Sequence, residues 1–320
     1  MAEQNNKATR HKRLNETILL KYLKEKFESA VGHKMICAKN DDKISEKKRP
    51  YYFEKLECNI LPEGMKKAAK EAYEKGGGQE FNLKMRALRS SSAMTFNIFG
   101  NDSVTIESGH KLTSGTYDIV YEKKFSTLRS AKANIDVCLK NDNEILLFEM
   151  KMAEWLLNSP SKLRRSYLRE EGYPDKEFFD VIKKIIDKYR SEKSAYDREE
   201  YSSETTYFDV FQIIKHIFGI YKEVFYKKEL KIPASKKITL VCGMWTIEDK
   251  NFSNYEEYEK ISEKIDCEFK TFHKNLKSIR DIFLTKDIIF DVIKLSVNDI
   301  IDSLNKKPDK KNYLQRYYTR

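Results

Sequence analysis

The sequence predicts an α/β fold with a mixed central sheet and helical additions at both ends. Three observations carry this. Apolar residues recur at helical spacing through the first hundred positions. After Gly100-Asn101 the pattern changes to short runs of β-branched and aromatic residues. Further on, a strongly apolar helical stretch, YFDVFQIIKHIFGIY, is followed by one more buried strand, KKITLVCGMWTI.

The elements follow in chain order. Residues 1–13 read as a polar, basic arm. Asn15-Glu16-Thr17 opens a helix whose apolar positions are Ile18, Leu19, Tyr22, Leu23 and Phe27. Residues 38–50, AKNDDKISEKKRP, form a charged loop ending at Pro50. A second helix is expected over about 63–75, stopped by Gly76-Gly77-Gly78. A third is expected from Glu80 to Phe99, with Phe81, Met85, Leu88, Met94 and Ile98 on one face and Ser90-Ser91-Ser92 interrupting it. SVTIES, GTYDIVYEKKF, ANIDVCLK and EILLFEMKM then read as three or four consecutive, mostly antiparallel strands, with Asn141-Asp142-Asn143 as the hairpin turn between the last two. Helices return over about 153–190, and a loop rich in Ser, Glu and Tyr spans 191–206. The apolar helix covers 207–221 and the buried strand 236–247. The rest reads as helical and charged. The expected organisation is a helical extension over 1–75, a core over 76–250, and a C-terminal helical extension with a basic tail over 251–320.

The chain of 320 residues carries a net charge of +11, which suits a polyanionic partner, most simply nucleic acid, and equally a lysine-rich solvated surface. The five cysteines form no CxxC pair and have no histidine at zinc-site spacing, which points to reduced thiols. The first residues lack the apolar core of a secretory signal. The most apolar run, VFQIIKHIFGIY, is broken by Lys215 and His216. A soluble, cytoplasmic protein without a membrane partner is therefore expected.

The strand EILLFEMKM poses the functional question, because its apolar run ends in Glu149 and Lys151, separated by Met150. Side chains alternate along a strand, so Glu149 and Lys151 share a face. Burying such a pair unsatisfied would cost several kcal/mol, so it is expected to line a cleft. If Asn141–Asn143 is the turn, Asp136 on the preceding strand lies at the same end of the hairpin as Glu149. Two carboxylates brought together repel each other and favour a hard divalent cation such as Mg²⁺, with Mn²⁺ as a substitute. Lys151 stands beside them to hold or deprotonate a water, or to offset charge at a phosphate. The arrangement suits metal-assisted phosphodiester hydrolysis. A solvated ion pair at a strand end is the plainer alternative.

Asp136, followed by Glu149-Met150-Lys151 after an apolar strand, resembles the PD-(D/E)xK nuclease superfamily. The resemblance implies a restriction-endonuclease-like α-β-β-β-α-β core. It also implies that Asp136 and Glu149 bind Mg²⁺, that Met150 adds its backbone carbonyl, and that Lys151 assists the attacking water. A further glutamate on the first core helix would be Glu80, ahead of Glu74 and Glu71. A glutamine on the helix before the last strand would be Gln212. The stretch RSSSAMTFNIFGN, together with MAEWL after the lysine strand, is similar to a small restriction-endonuclease-like bacterial branch. The resemblance covers roughly residues 75–245. Asp136 departs from the pattern in following Asn134-Ile135 with no proline.

The function so implied is a Mg²⁺-dependent endonuclease acting on double-stranded DNA, of the restriction or defence kind. Its partners would be a second copy of the chain and a cognate methyltransferase. A junction-resolvase-like repair nuclease, a non-catalytic nucleic-acid-binding protein with a vestigial core, and an RNA-directed enzyme are the alternatives. Phosphate contacts are expected from Lys162, Arg164, Arg165 and Arg169, cations within two helical turns and interleaved with Tyr167. Ser91 and Ser92 either contact phosphates or serve the helix start. Gln212 and His216, one turn apart, are either a satisfied helix edge or part of the site. His110 lies in a Gly/Ser/Thr loop as a solvated residue or a DNA contact, and the tail Lys306–Arg320 pairs cations with Tyr313, Tyr317 and Tyr318, either for phosphate contact with aromatic stacking or as a solvated helix face.

Overall fold

The computed structural model describes residues 13–39, 41–61, 63–75, 81, 83–107, 109, 111–127, 132–191, 199–227 and 236–318. Helix α1 (Glu16–Val31) starts where the Asn15 side chain accepts the backbone N–H groups of Thr17 and Ile18, and ends at Gly32, whose φ of 75° suits a residue without a Cβ. It buries Leu19, Leu20, Leu23 and Phe27. Then come α2 (Lys67–Glu74), α3 (Ser91–Phe99), β1 (Ser103–Ile106), β2 (Gly115–Ser126), β3 (Lys132–Lys140) and β4 (Glu144–Lys151). Beyond the hairpin lie α4 (Glu154–Leu157), β5 (Leu163–Arg164), α5 (Lys176–Tyr189), β6 (Glu200–Tyr201), α6 (Val210–Lys222) and β7 (Lys237–Met244). The chain closes with α7 (Tyr255–Asn275), α8 (Lys277–Thr285), β8 (Ile289–Ser296), α9 (Val297–Ser303) and α10 (Pro308–Tyr318).

The architecture is α/β around a mixed six-stranded sheet of order β1-β2-β3-β4-β7-β8. The pairs from β1 to β4 are antiparallel; β4–β7 and β7–β8 are parallel. The Asn141 side chain accepts the N–H groups of Asn143 and Glu144 at 2.8 and 2.9 Å, a local turn that joins β3 to β4. Burial along β4 and β7 is nearly continuous, as for strands covered on both faces. α3 packs on β4 with the Phe99 and Phe148 rings 4.9 Å apart. α6 approaches β2 so closely that a Cβ on Gly219 would lie 2.6 Å from Phe125 Cβ. No described helix is long and apolar enough to cross a membrane.

The structure corrects several expectations. Within the described residues, the third helix is not continuous before Ser90. A 3-10 turn occupies Lys84–Arg86 and α3 begins only at Ser91, because Ser90 Oγ accepts the Ala93 N–H at 3.1 Å and caps a new start. The helices expected over 153–190 are α4 and α5, with a short strand and 3-10 turns between them that the sequence reading does not include. The C-terminal extension is not wholly helical, since β8 adds an edge strand alongside β7. Two of the three tail tyrosines are core residues. Tyr317 and Tyr318 are buried, and the Tyr318 hydroxyl accepts from Asn97 Nδ2 at 2.8 Å. Gly76-Gly77-Gly78, Glu80 and His110 lie outside the described residues.

Candidate active site

The β3–β4 register runs from Lys140–Ile145 at the turn to Val137–Phe148. One step further along each strand stand Asp136 and Glu149. There the ladder gives way to a side-chain bond: Asp136 Oδ2 accepts the Met150 N–H at 2.6 Å. A strand residue sends its N–H and C=O to the same edge, so the Met150 carbonyl also faces β3.

Glu149 is 2% exposed. Its Oε1 accepts from Gln212 Nε2 at 2.6 Å and lies 2.6 Å from Lys151 Nζ. Its Oε2 lies 3.0 Å from Nε2 of the equally buried His216, a short contact that is not aligned as a hydrogen bond. Gln212 is held in place because Asp209 caps α6: one carboxylate oxygen accepts the Gln212 N–H at 3.0 Å, and the other accepts from the Ser161 N–H and hydroxyl.

These groups line one cleft of about 520 Å³, whose walls include Asp136, Glu149, Lys151, Gln212, Ser91 and Ser92. The same walls carry Glu122, Glu154, Lys84 and Arg89, which sequence reasoning did not single out. Glu122 has a φ of 50°, the left-handed region that a residue with a Cβ rarely adopts. The β2–β3 register passes from Tyr121–Val137 to Lys123–Ile135, so Glu122 falls across from Asp136. Its only sequence signal is a glutamate inside the strand GTYDIVYEKKF. Glu154 lies in MAEWL, and its carboxylate accepts the N–H groups of Met152 and Ala153 at 2.9 and 3.0 Å.

The charges of the cleft are unevenly balanced. Burial, the Glu149 charge and, more weakly, Glu122 push the Asp136 carboxyl well above the ordinary aspartate value. Burial opposes the charge on Glu149 too, but Lys151 and His216 outweigh it and hold that carboxyl below its ordinary value. Burial likewise disfavours the Lys151 ammonium, yet Glu149, Glu154 and Asp136 keep it charged above the ordinary lysine range.

The predicted cationic patch stands elsewhere. Lys162, Arg164, Arg165 and Arg169 do not lie on two helical turns: Arg164 is on β5 and Arg165 on the 3-10 turn Arg165–Leu168, with Lys162 just before and Arg169 just after these, and none is among the residues lining the cleft. The Arg165 guanidinium sits 4.7 Å over the Tyr201 ring, and Lys162, Arg164 and Arg169 are exposed.

Among the described residues, no three His, Cys, Asp or Glu side chains are grouped around one metal position. Mg²⁺ asks for less, since one or two carboxylates with several waters suffice. Asp136 and Glu149, two carboxylates on the wall of one cleft, fit such a cation.

A family model described as Restriction Endonuclease associating with ARP matches residues 20–320. No curated protein and no solved structure matches the chain.

Proposed function

The chain belongs to the family of restriction endonucleases associating with ARP, and from that premise we propose that it is a Mg²⁺-dependent DNA endonuclease of the PD-(D/E)xK type serving restriction or defence. The observation that carries this is the convergence of Asp136 and Glu149, from adjacent strands, on one cleft with Lys151 bonded to Glu149. The succession α3, antiparallel strands, α6 and the parallel strand β7 supports the same reading. We take residues 76–250 as the nuclease core, with β8 as an addition to its sheet. The ARP of the family description is included as a partner, and a second copy of the chain would place one site on each DNA strand.

Asp136, Glu149 and the Met150 carbonyl would hold Mg²⁺, with Glu80 as a further candidate. The bound ion would polarise the phosphate and make water more acidic. The protein's own groups do the rest. Gln212 holds Glu149 through Oε1. Lys151, kept as an ammonium, donates hydrogen bonds, so it orients the attacking water and offsets charge at the phosphate rather than taking a proton. Ser91 and Ser92 stand on the cleft wall at the start of α3, where the positive end of the helix dipole favours a phosphate. Lys162, Arg164, Arg165 and Arg169 would meet the backbone beyond the cleft.

The test is incubation of plasmid DNA and of total RNA with the protein, in Mg²⁺ or in EDTA, beside Lys151→Ala. Discrete DNA fragments that need Mg²⁺ and disappear in the variant are expected. No EDTA-sensitive change in either nucleic acid would overturn the proposal.

A further inference from the structure

The Glu149 carboxylate has an outer and an inner oxygen. Oε1 meets Gln212 and Lys151, both of which line the cleft. Oε2 faces His216, which is 2% exposed and is not a cleft residue. Among the described residues, His216 Nδ1 has no hydrogen-bond partner, and Nε2 and Oε2 have no aligned one apart from facing each other. An ordinary core histidine would have its ring nitrogens satisfied by the surrounding backbone or side chains. Here the polar atom it approaches, at 3.0 Å, is the orphan oxygen of the glutamate that the nuclease reading needs.

The geometry points to His216 as a positioning residue for Glu149. It grips the inner oxygen so that the outer one stays turned into the cleft. The argument is one of rotational freedom. The terminal torsion of a glutamate is broad and roughly two-fold, so donors on one oxygen do not fix the carboxylate plane. Lys151, on a flexible stem, fixes it least. Gln212 and His216 lie four residues apart on α6, hence on one helix face, and together they reach both oxygens. α6 in turn is anchored by the Asp209 cap and by the close approach of Gly219 to Phe125. The sheet supplies the carboxylate and the helix sets its orientation. Groups that hydrogen-bond a metal-ligating carboxylate from behind act in this way, and removing one typically weakens metal binding or activity by about 10–100-fold. A contact that is short but misaligned tightens when the carboxylate is loaded.

This inference rests on the nuclease reading, so its test reads cation binding as well as cutting. The full chain is titrated with Mn²⁺ alone, free Mn²⁺ being followed by electron paramagnetic resonance. Plasmid cleavage gives kcat and KM separately, and thermal melting monitors the fold. His216→Leu removes the donor at similar bulk; His216→Gln restores an N–H near the position of Nε2. We expect His216→Leu to bind Mn²⁺ about 10–100-fold more weakly and to lose kcat by a similar factor at unchanged KM. His216→Gln should regain most of both. A folded His216→Leu that binds and cuts like the wild type overturns the inference, as does a folded His216→Gln without Mn²⁺ affinity. The second arm decides the matter if the leucine variant does not fold. A wild-type protein that neither binds Mn²⁺ nor cuts removes the nuclease reading, and this inference with it.

Discussion

Strand β4 carries a buried glutamate near each end, and the two are alike in several respects. Glu144 at the turn is 1% exposed and Glu149 at the open end 2%. Each faces an ammonium: Lys237 Nζ is 2.7 Å from Glu144, and Lys151 Nζ is 2.6 Å from Glu149. Each accepts one further short hydrogen bond, from the Tyr117 hydroxyl or from Gln212 Nε2, both at 2.6 Å. A buried glutamate–lysine pair therefore says nothing about function by itself. The difference lies in what stands next to it. Beside Glu149 lies Asp136, a second carboxylate with Glu122 across from it, all opening on one cleft. Beside Glu144 lies the asparagine turn. The pair at the turn ties the start of β4 to β7 and, through Tyr117, to β2. The pair at the cleft has beside it a second buried carboxylate whose charge is disfavoured in the fold, an arrangement that costs stability and is characteristic of a functional site.

The largest expected effect separates these ends directly. Asp136→Asn should reduce plasmid cleavage on the order of 10³-fold or more, since cation-borne stabilisation amounts to several kcal/mol and each 1.36 kcal/mol is tenfold. It should also raise the melting temperature in EDTA, because the variant removes a carboxylate whose charge is disfavoured in the fold. Glu144→Gln should do the reverse, melting lower while cutting within about a factor of three of wild type, as expected for a substitution away from the reacting atoms. Cleavage rates and melting curves on the same preparations check both. Loss of cutting in Glu144→Gln as deep as in Asp136→Asn would erase the distinction between the ends.

How much of this could be read from the sequence depended on range. The hairpin was legible because its signals are local: a continuous apolar run ending in Glu149-Met150-Lys151 and an asparagine turn that sets the register by counting. Asp136, Glu149, Lys151 and Gln212 come to one cleft through that register and the α6 cap. Glu122 was not legible, because its place needs a third strand and a backbone angle that no residue pattern announces. The false start of the third helix came from apolar spacing that continues past Ser90, where a single side-chain cap resets the helix. β8 was missed because a parallel edge strand has no hairpin turn to mark it and pairs with a segment some fifty residues earlier. The tail tyrosines were misplaced for the same reason, since Asn97 and Trp245 reach them across the fold.

The next effect compares the two amines. Lys151→Met leaves Glu149 buried with the Gln212 hydrogen bond and the His216 contact, and breaking such a pair costs about 3 kcal/mol or more. Lys237→Met should cost less. The Lys237 side chain is 35% exposed against 16% for Lys151, so its pair is better screened, and Tyr117 still donates to Glu144. Denaturant unfolding in EDTA measures both. Equal losses would mean that the two glutamates are equally dependent on their lysines and that the cleft is no more strained than the turn.

The smallest effect is the pH dependence of stability, and within the cleft it has opposite signs for the two acids. Asp136, with its value raised in the fold, binds protons more readily folded than unfolded. The cation-free protein should therefore lose stability as pH rises from the ordinary aspartate value, about 3.9, through the raised one. Glu149, with its value lowered, contributes stability that is complete above the ordinary glutamate value, about 4.3, and is lost as pH falls below it. Melting temperatures in EDTA across this range, for wild type and Asp136→Asn, isolate the first contribution. The variant should lack the decline on the alkaline side and keep the one on the acid side. Saturating Mg²⁺ should bring the two curves together above the raised value, because a bound cation removes the penalty on the charged aspartate. A wild-type curve that already matches Asp136→Asn in EDTA would mean that Asp136 is not electrostatically burdened, and the contrast between the two ends of β4 would then rest on shape alone.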